Sequence, residues 1–221
     1  MKIICVIPAW NEEKNIAKVI AGVRPFVDEI VVIDDGSQDN TALAAEAAGA
    51  TTFRHPINRG QGAALQTGND YALEHGADII VHFDADDQFL ATEIKDMIAP
   101  LIVGRADIVF GSRFLGKKAN LPPVKKYLIM PLAQIFTRVI LGIKLSDPQN
   151  GFRAMSRLAA EKIRINNREM AHNSEIQIKA FREKLRVAEV PITVIYHHFG
   201  QKLSGGFKVA KDLFIHKIIS K

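Results

Sequence analysis

The chain has 221 residues, 48% hydrophobic and 24% charged, a composition that excludes disordered and collagen-like classes and predicts one large folded domain spanning residues 1–221. A single cysteine, Cys5 in the apolar run Ile3-Ile4-Cys5-Val6-Ile7, excludes a disulfide framework or a cysteine zinc site and reads as a buried small hydrophobe. The net charge of +5 is unevenly spread: residues 1–110 hold 8 Lys and Arg against 17 Asp and Glu, a net −9, and residues 111–221 hold 21 against 7, a net +14.

In chain order, β-branched runs at residues 2–7, 29–34, 51–55, 78–84 and 106–111 read as strands, each ended by polar or glycine residues. Helical patterns separate them. Asn11 is placed to cap a helix over 12–23, Asp39 to cap an alanine-rich helix ending at Gly49, and a third helix runs from about 60 to 75 before Gly76. This alternation predicts an α/β fold with a mostly parallel sheet flanked by helices, which collects ligands at the carboxyl ends of its strands.

The pattern changes after Gly111. A loop is expected over 116–124, an apolar helix over 125–141, a strand over 152–155, a helix over 175–182 and a strand over 186–192. The tail at 207–219 reads as a basic amphipathic helix. The apolar stretch 127–143 carries Pro131, Gln134, Thr137 and Arg138, so it is a poor spanning segment, which wants about 20 mostly apolar residues. The N-terminal apolar run is broken by Pro8 and lacks the form of a secretory signal, which points to the cytoplasm.

The sharpest chemical signal is Val81-His82-Phe83-Asp84-Ala85-Asp86-Asp87-Gln88, an apolar strand running into acidic residues. Strand alternation would put Asp84 and Asp86 on one side, and with the Gln88 amide oxygen they offer hard ligands for Mg²⁺ or Mn²⁺ against a diphosphate. The same residues also suit a solvated acidic turn. A second acidic strand end, Asp34-Asp35-Gly36-Ser37, could accept hydrogen bonds from a ribose or base, or cap a helix through Ser37 or Asp39. At the first strand end, Trp10 either stacks on a base or fills the core.

Taken in order, Val6-Ile7-Pro8-Ala9-Trp10-Asn11-Glu12-Glu13, Val32-Ile33-Asp34-Asp35-Gly36-Ser37, Asn58-Arg59-Gly60-Gln61-Gly62-Ala63-Ala64 and Asp84-Ala85-Asp86 resemble glycosyltransferase family 2. The likeness spans about residues 1–204 and is nearest to the dolichyl-phosphate mannosyltransferases and polyprenyl-phosphate glycosyltransferases. It implies a GT-A fold, with residues 1–111 binding a nucleotide-sugar and residues 112–221 facing an acceptor and a membrane. It also implies that Pro8, Trp10, Glu12 and Asp35 line the nucleoside pocket and that Asp84, Asp86 and Gln88 hold the metal.

Gly111-Ser112-Arg113 resembles the family's GSR segment, and Asp147-Pro148-Gln149-Asn150-Gly151-Phe152-Arg153 resembles its DPxxGFR segment. On that likeness Asp147 binds substrate and Arg113 and Arg153 face phosphate, although an arginine also serves as an ion-paired surface residue. Glu175 falls where relatives line the acceptor side, and it equally suits a helix start. The run His197-His198-Phe199-Gly200-Gln201-Lys202-Leu203-Ser204 departs from the family pattern by replacing its arginine with histidine and dropping one residue. Lys202 still offers charge to a phosphate, and His197 stands where substrate contact is implied.

The implied reaction is metal-dependent, inverting transfer of a hexose from a donor of the GDP-mannose or UDP-glucose type to a polyprenyl phosphate, with Asp86, Arg113, Arg153 and Lys202 as its catalytic groups. Helices 125–141 and 207–219 are either membrane-surface elements or ordinary core helices. The protein is expected on the cytoplasmic face of a membrane, peripherally or with an integral partner, and nucleic acid is not an expected partner. A nucleotidyltransferase would need a glycine-rich, lysine-bearing first loop, and a polymerising glycosyltransferase a QxxRW segment; neither is present. A non-catalytic nucleotide-sugar-binding subunit and transfer to a saccharide acceptor remain as alternatives.

Overall fold

The structure, a computed structural model, describes residues 1–115, 145–167 and 171–195. The expected loop at 116–124, the helices at 125–141 and 207–219, and His197, His198 and Lys202 therefore lie outside the described residues.

The first half follows strand–helix alternation: β1 (Ile3–Ala9), α1 (Ile16–Val23), β2 (Glu29–Asp34), α2 (Thr41–Ala47), β3 (Thr51–Arg54), α3 (Gln61–Glu74), β4 (Ile79–His82), α4 (Ile94–Ile102) and β5 (Ile108–Ser112). The second half adds β6 (Arg153–Ser156), α5 (Arg157–Lys162), α6 (His172–Arg182) and β7 (Val187–Pro191). All seven strands form one sheet in the order β3-β2-β1-β4-β6-β5-β7. Only β6 runs against its neighbours β4 and β5, so the sheet is mostly parallel, as expected.

The apolar run of β1 is continuous because both faces are covered. Cys5, Ile7 and Ala9 pack under α1 and α4, and Ile4 and Val6 pack under α3 and the β6–α6 region. Cys5 is fully buried and unbonded, and burial pushes its thiol pKa up. No helix among the described residues is long and apolar enough to cross a membrane.

Several boundaries differ from the sequence reading. The first helix starts at Ile16, because Asn11 adopts φ 57° and is tied to the β2–α2 loop, its N–H donating to Ser37 Oγ and its Oδ1 accepting from Gln38 N. Asp39 does serve the start of α2, accepting from the Thr41 N–H at 3.0 Å, although Asn40 occupies the cap position. The fourth strand ends at His82, two residues early. Helices α4 and α5 carried no clear signal: α4 contains Pro100 and α5 is only 6 residues long.

Candidate active site

Strands β1, β2 and β4 are parallel neighbours, so their carboxyl ends open on one edge. The chain leaves β1 towards β2 on one side and meets β4 on the other, which makes that edge a switch point where α/β sheets place ligands. Loops 10–15, 35–40 and 83–88 converge there.

The acidic cluster lies in a turn beyond β4, so strand alternation is not what pairs Asp84 with Asp86. Asp87 adopts φ 58° and Gln88 N donates to Asp86 Oδ1 at 3.2 Å, which folds the chain back. Asp87 is the outward member and pairs with Lys18 at 2.5 Å. Asp84 turns inward: Gln61 Nε2 donates to its Oδ1 at 2.9 Å. The residue as a whole is half-buried, with Gly151 packed against its carboxylate. Burial, then the charge of Asp86, push its pKa up to about 7 against the pull of Arg153.

Glu12 feels the same field from the β1 side. Burial raises its pKa, a 2.8 Å hydrogen bond from Asn15 Nδ2 offsets part of that, and the charges of Asp86 and Asp39 raise it further. Carboxylates from two strand ends thus crowd one spot and repel, an arrangement that a divalent cation would relieve. Among the described residues no group of three or more His, Cys, Asp or Glu side chains is placed to enclose a metal. Mg²⁺ is commonly held by one or two carboxylates while substrate phosphates and water complete the shell. The mutual repulsion of Asp84 and Asp86 fits such an ion, and Gln88 lies on the same turn.

The other expected pocket residues are scattered in role. Trp10 is 53% exposed, so it does not fill the core and its ring is open at the cleft edge. Pro8 is buried inside β1, opposite Ile33. Asp35 is buried, and its carboxylate accepts from Arg59 N at 2.9 Å and Gly60 N at 2.7 Å and meets His55 Nδ1 at 2.7 Å. It shapes the loop that opens α3. Gly36 at φ 73° makes the tight turn the sequence asked of it.

Just past the end of β5, Arg113 forks onto Asp147: Nε to Oδ2 and Nη2 to Oδ1, both at 2.7 Å. Asp147 is buried and Arg113 partly open, so the fork fixes the orientation of the guanidinium. Arg153 is placed differently from a surface phosphate ligand. It is 1% exposed, with hydrogen bonds to Gly151 O, Asn150 O and Asn173 Oδ1, and burial lowers its pKa to about 10 against the attraction of Asp84. It is a buried counter-charge to Asp84.

Glu175 also turns out to be engaged. It accepts from Asn166 N, Asn167 N and Asn167 Nδ2 and pairs with Lys179 at 2.7 Å, the helix-start alternative of the sequence reading. The residues that sequence reasoning missed here are Gln61, His55, Asn150 and Gly151. Gln61 and Gly151 stood inside quoted motifs, but only the fold shows that both touch Asp84.

Residues 4–164 match the family described as Glycosyl transferase family 2. The chain is 35% identical over 226 residues to an uncharacterized protein of Methanocaldococcus jannaschii, covering 98% of this chain and 93% of that one. It is 35% identical over 244 residues to a UDP-N-acetylglucosamine--dolichyl-phosphate N-acetylglucosaminyltransferase of Methanococcus voltae, covering 98% of this chain and 96% of the relative. It is 30% identical to a polyprenol monophosphomannose synthase of Mycolicibacterium smegmatis, covering 96% and 84%. In fold it is similar to the glucosyl-3-phosphoglycerate synthase of Mycobacterium tuberculosis solved with Mn²⁺ and UDP-glucose, with a TM-score of 0.74 at 24% identity over 96% of this chain and 76% of that one.

A mostly parallel sheet, acidic residues at its switch point and a family match over most of the chain lead to one assignment: this protein has the GT-A fold and is a glycosyltransferase belonging to glycosyl transferase family 2.

Proposed function

We propose that the protein transfers a hexose from a nucleotide-sugar to a polyprenyl phosphate, with inversion at the anomeric carbon and with Mg²⁺ or Mn²⁺ as cofactor. The carrying observation is the inward Asp84 carboxylate, pressed by Asp86 and facing Glu12 across the switch point. The named activities of the relatives from Methanococcus voltae and Mycolicibacterium smegmatis support the lipid-phosphate class of acceptor.

In this reading residues 1–111 bind the donor and residues 112–221 face the acceptor. Trp10 offers its exposed ring to the base, and Asp35 holds the 59–60 backbone that borders the nucleoside. Asp84 and Asp86 hold the cation, which when bound neutralises charge on the diphosphate as it departs. Arg153 opposes the rise in the Asp84 pKa with its buried charge, and Arg113, oriented by Asp147, meets phosphate oxygens.

An acceptor phosphate oxygen attacks the anomeric carbon from the face opposite the diphosphate. The new C–O bond forms as the old one breaks, and the nucleoside diphosphate leaves with the bonding electrons. A phosphate monoester is largely ionised near neutral pH, so the attack needs no general base. Positioning and charge stabilisation carry the catalysis. Because the acceptor is a membrane lipid, the protein works at the cytoplasmic face, by peripheral contact or through an integral partner.

The test is transfer. Purified protein is incubated with labelled nucleotide-sugars, Mn²⁺ and polyprenyl phosphate. Product that requires Mn²⁺ and disappears in Asp86→Ala supports the proposal. Nucleotide-sugar binding with no turnover onto any lipid phosphate would replace it with a carrier-subunit role.

A further inference from the structure

The turn 84–88 has no secondary structure of its own, yet the proposed donor chemistry needs it to be fixed. Its two ends are closed by aromatic packing. Phe83 and Phe89 have ring centroids 5.7 Å apart, and each packs on Phe152, at 5.1 and 5.3 Å. That triad holds the base of the turn but leaves the backbone of Gln88 and Phe89 outside the sheet.

A remote segment supplies the missing partner. Beyond the end of β7, Ile192 is buried and its N–H donates to Ser112 O at 3.0 Å. Val194 then bridges to Phe89 in antiparallel fashion, and Ile195 N–H donates to Gln88 O at 2.8 Å. Between these contacts Thr193 is clamped: its N–H donates to Glu93 Oε2 at 2.8 Å and its hydroxyl to Glu93 Oε1 at 2.9 Å. Glu93 is 4% exposed and stands at the N-terminus of α4, where a carboxylate is favoured. A carboxylate buried at a rigid helix start, with both oxygens used on one residue about a hundred positions away, fixes that residue closely.

We propose that residues 192–195 form a strap that sets the position of the metal-holding turn, with Thr193 and Glu93 as its positioning residues. The inference rests on the donor-site reading above and adds to it a determinant of metal affinity that touches no substrate. Glu93 fixes Thr193, Thr193 fixes the neighbouring Val194 and Ile195, and these hold Gln88 and Phe89 at the end of the acidic turn. Outer partners that orient metal ligands commonly change affinity by roughly 10–100-fold, and a brace one step further out belongs at the lower end.

The experiment is a Mn²⁺ titration of the full chain by electron paramagnetic resonance, with UDP and with GDP in parallel, alongside metal-free nucleotide binding by calorimetry. Thr193→Val keeps the shape and removes the hydroxyl; Thr193→Ser keeps the hydroxyl. In the presence of whichever nucleotide supports Mn²⁺ binding, Thr193→Val is expected to bind Mn²⁺ about tenfold more weakly. Metal-free nucleotide binding should be unchanged, and Thr193→Ser should restore Mn²⁺ affinity. Equal Mn²⁺ affinity in Thr193→Val and the unsubstituted chain overturns the strap, as does a loss matched by an equal loss of metal-free nucleotide binding. Should Thr193→Val fail to fold, Ile195→Pro removes the N–H given to Gln88 without touching Glu93, and unchanged Mn²⁺ affinity in that variant overturns the proposal. If the unsubstituted chain binds no Mn²⁺ with either nucleotide, the donor-site reading fails first and takes the strap's purpose with it.

Discussion

The Asp84 carboxylate lies directly against the α-carbon of Gly151: a Cβ built there would come within 2.5 Å of Asp84 Oδ2 and 3.1 Å of Oδ1. The absence of a side chain at 151 is what lets the 147–151 loop close over the proposed metal ligand. Arg153, bonded to the Gly151 carbonyl, holds the loop in that place.

Gly151→Ala should therefore displace Asp84 without unfolding the chain, since the methyl group meets one side chain at the cleft. A misplacement of about 1 Å near the reacting groups costs on the order of 10²-fold in rate. Steady-state transfer should show that loss mainly in kcat/KM, with a circular dichroism spectrum like that of the unsubstituted chain. Normal activity would mean that Asp84 need not stay where it is.

Crowded carboxylates predict how ligands stabilise the protein. A nucleoside diphosphate present with Mn²⁺ at ~100 times its dissociation constant should stabilise by roughly 2.7 kcal/mol, and chelator should abolish most of that gain. A thermal-shift screen across UDP, GDP and other nucleoside diphosphates reads this and ranks the donor bases. Stabilisation that survives chelation would count against Asp84 and Asp86 as cation ligands.

Asp35 is a scaffold for the 59–60 turn, whatever else it touches. Asp35→Ala leaves the Arg59 and Gly60 N–H groups without their acceptor, and a lost hydrogen bond to a charged group costs about 1.5–3 kcal/mol. Chemical denaturation should show a lowered midpoint with unchanged slope, and the KM for donor should rise. Unaltered stability would show that the turn holds itself.

Away from the cleft, Asp107 accepts from Arg186 N at 2.7 Å, Nη2 at 2.6 Å and Nε at 3.0 Å, and these bonds hold its carboxyl below the usual carboxylate pKa. A lowered folded pKa gives stability that is present above the unfolded value near 3.9 and is lost as pH falls through the folded value. Asp107→Asn should therefore lower Tm at pH 7 and close the gap to the unsubstituted chain below about pH 4. A gap independent of pH would exclude the ion pair as its source.

Much of this architecture was written in local patterns. Continuous β-branched runs gave five of the seven strands in the first half of the chain, and short apolar runs gave approximate places for β6 and β7. The acidic clusters after β2 and β4 were legible as residue types, and the motif order was legible as a family. Strand ends were less so: Asn11 at φ 57° and the stop of β4 at His82 follow from hydrogen bonds to loops far along the chain.

The sequence by itself determined the sheet, its two covered faces and the chemistry available at its edge, because periodicity and residue type act over a few neighbours. Only the tertiary structure decided which acid turns inward, that Arg153 is buried as a counter-charge to Asp84, that Arg113 is forked onto Asp147, and that Thr193 reaches Glu93. Those choices depend on burial and on hydrogen-bond partners dozens of residues apart. No window along the chain contains both members of such a pair.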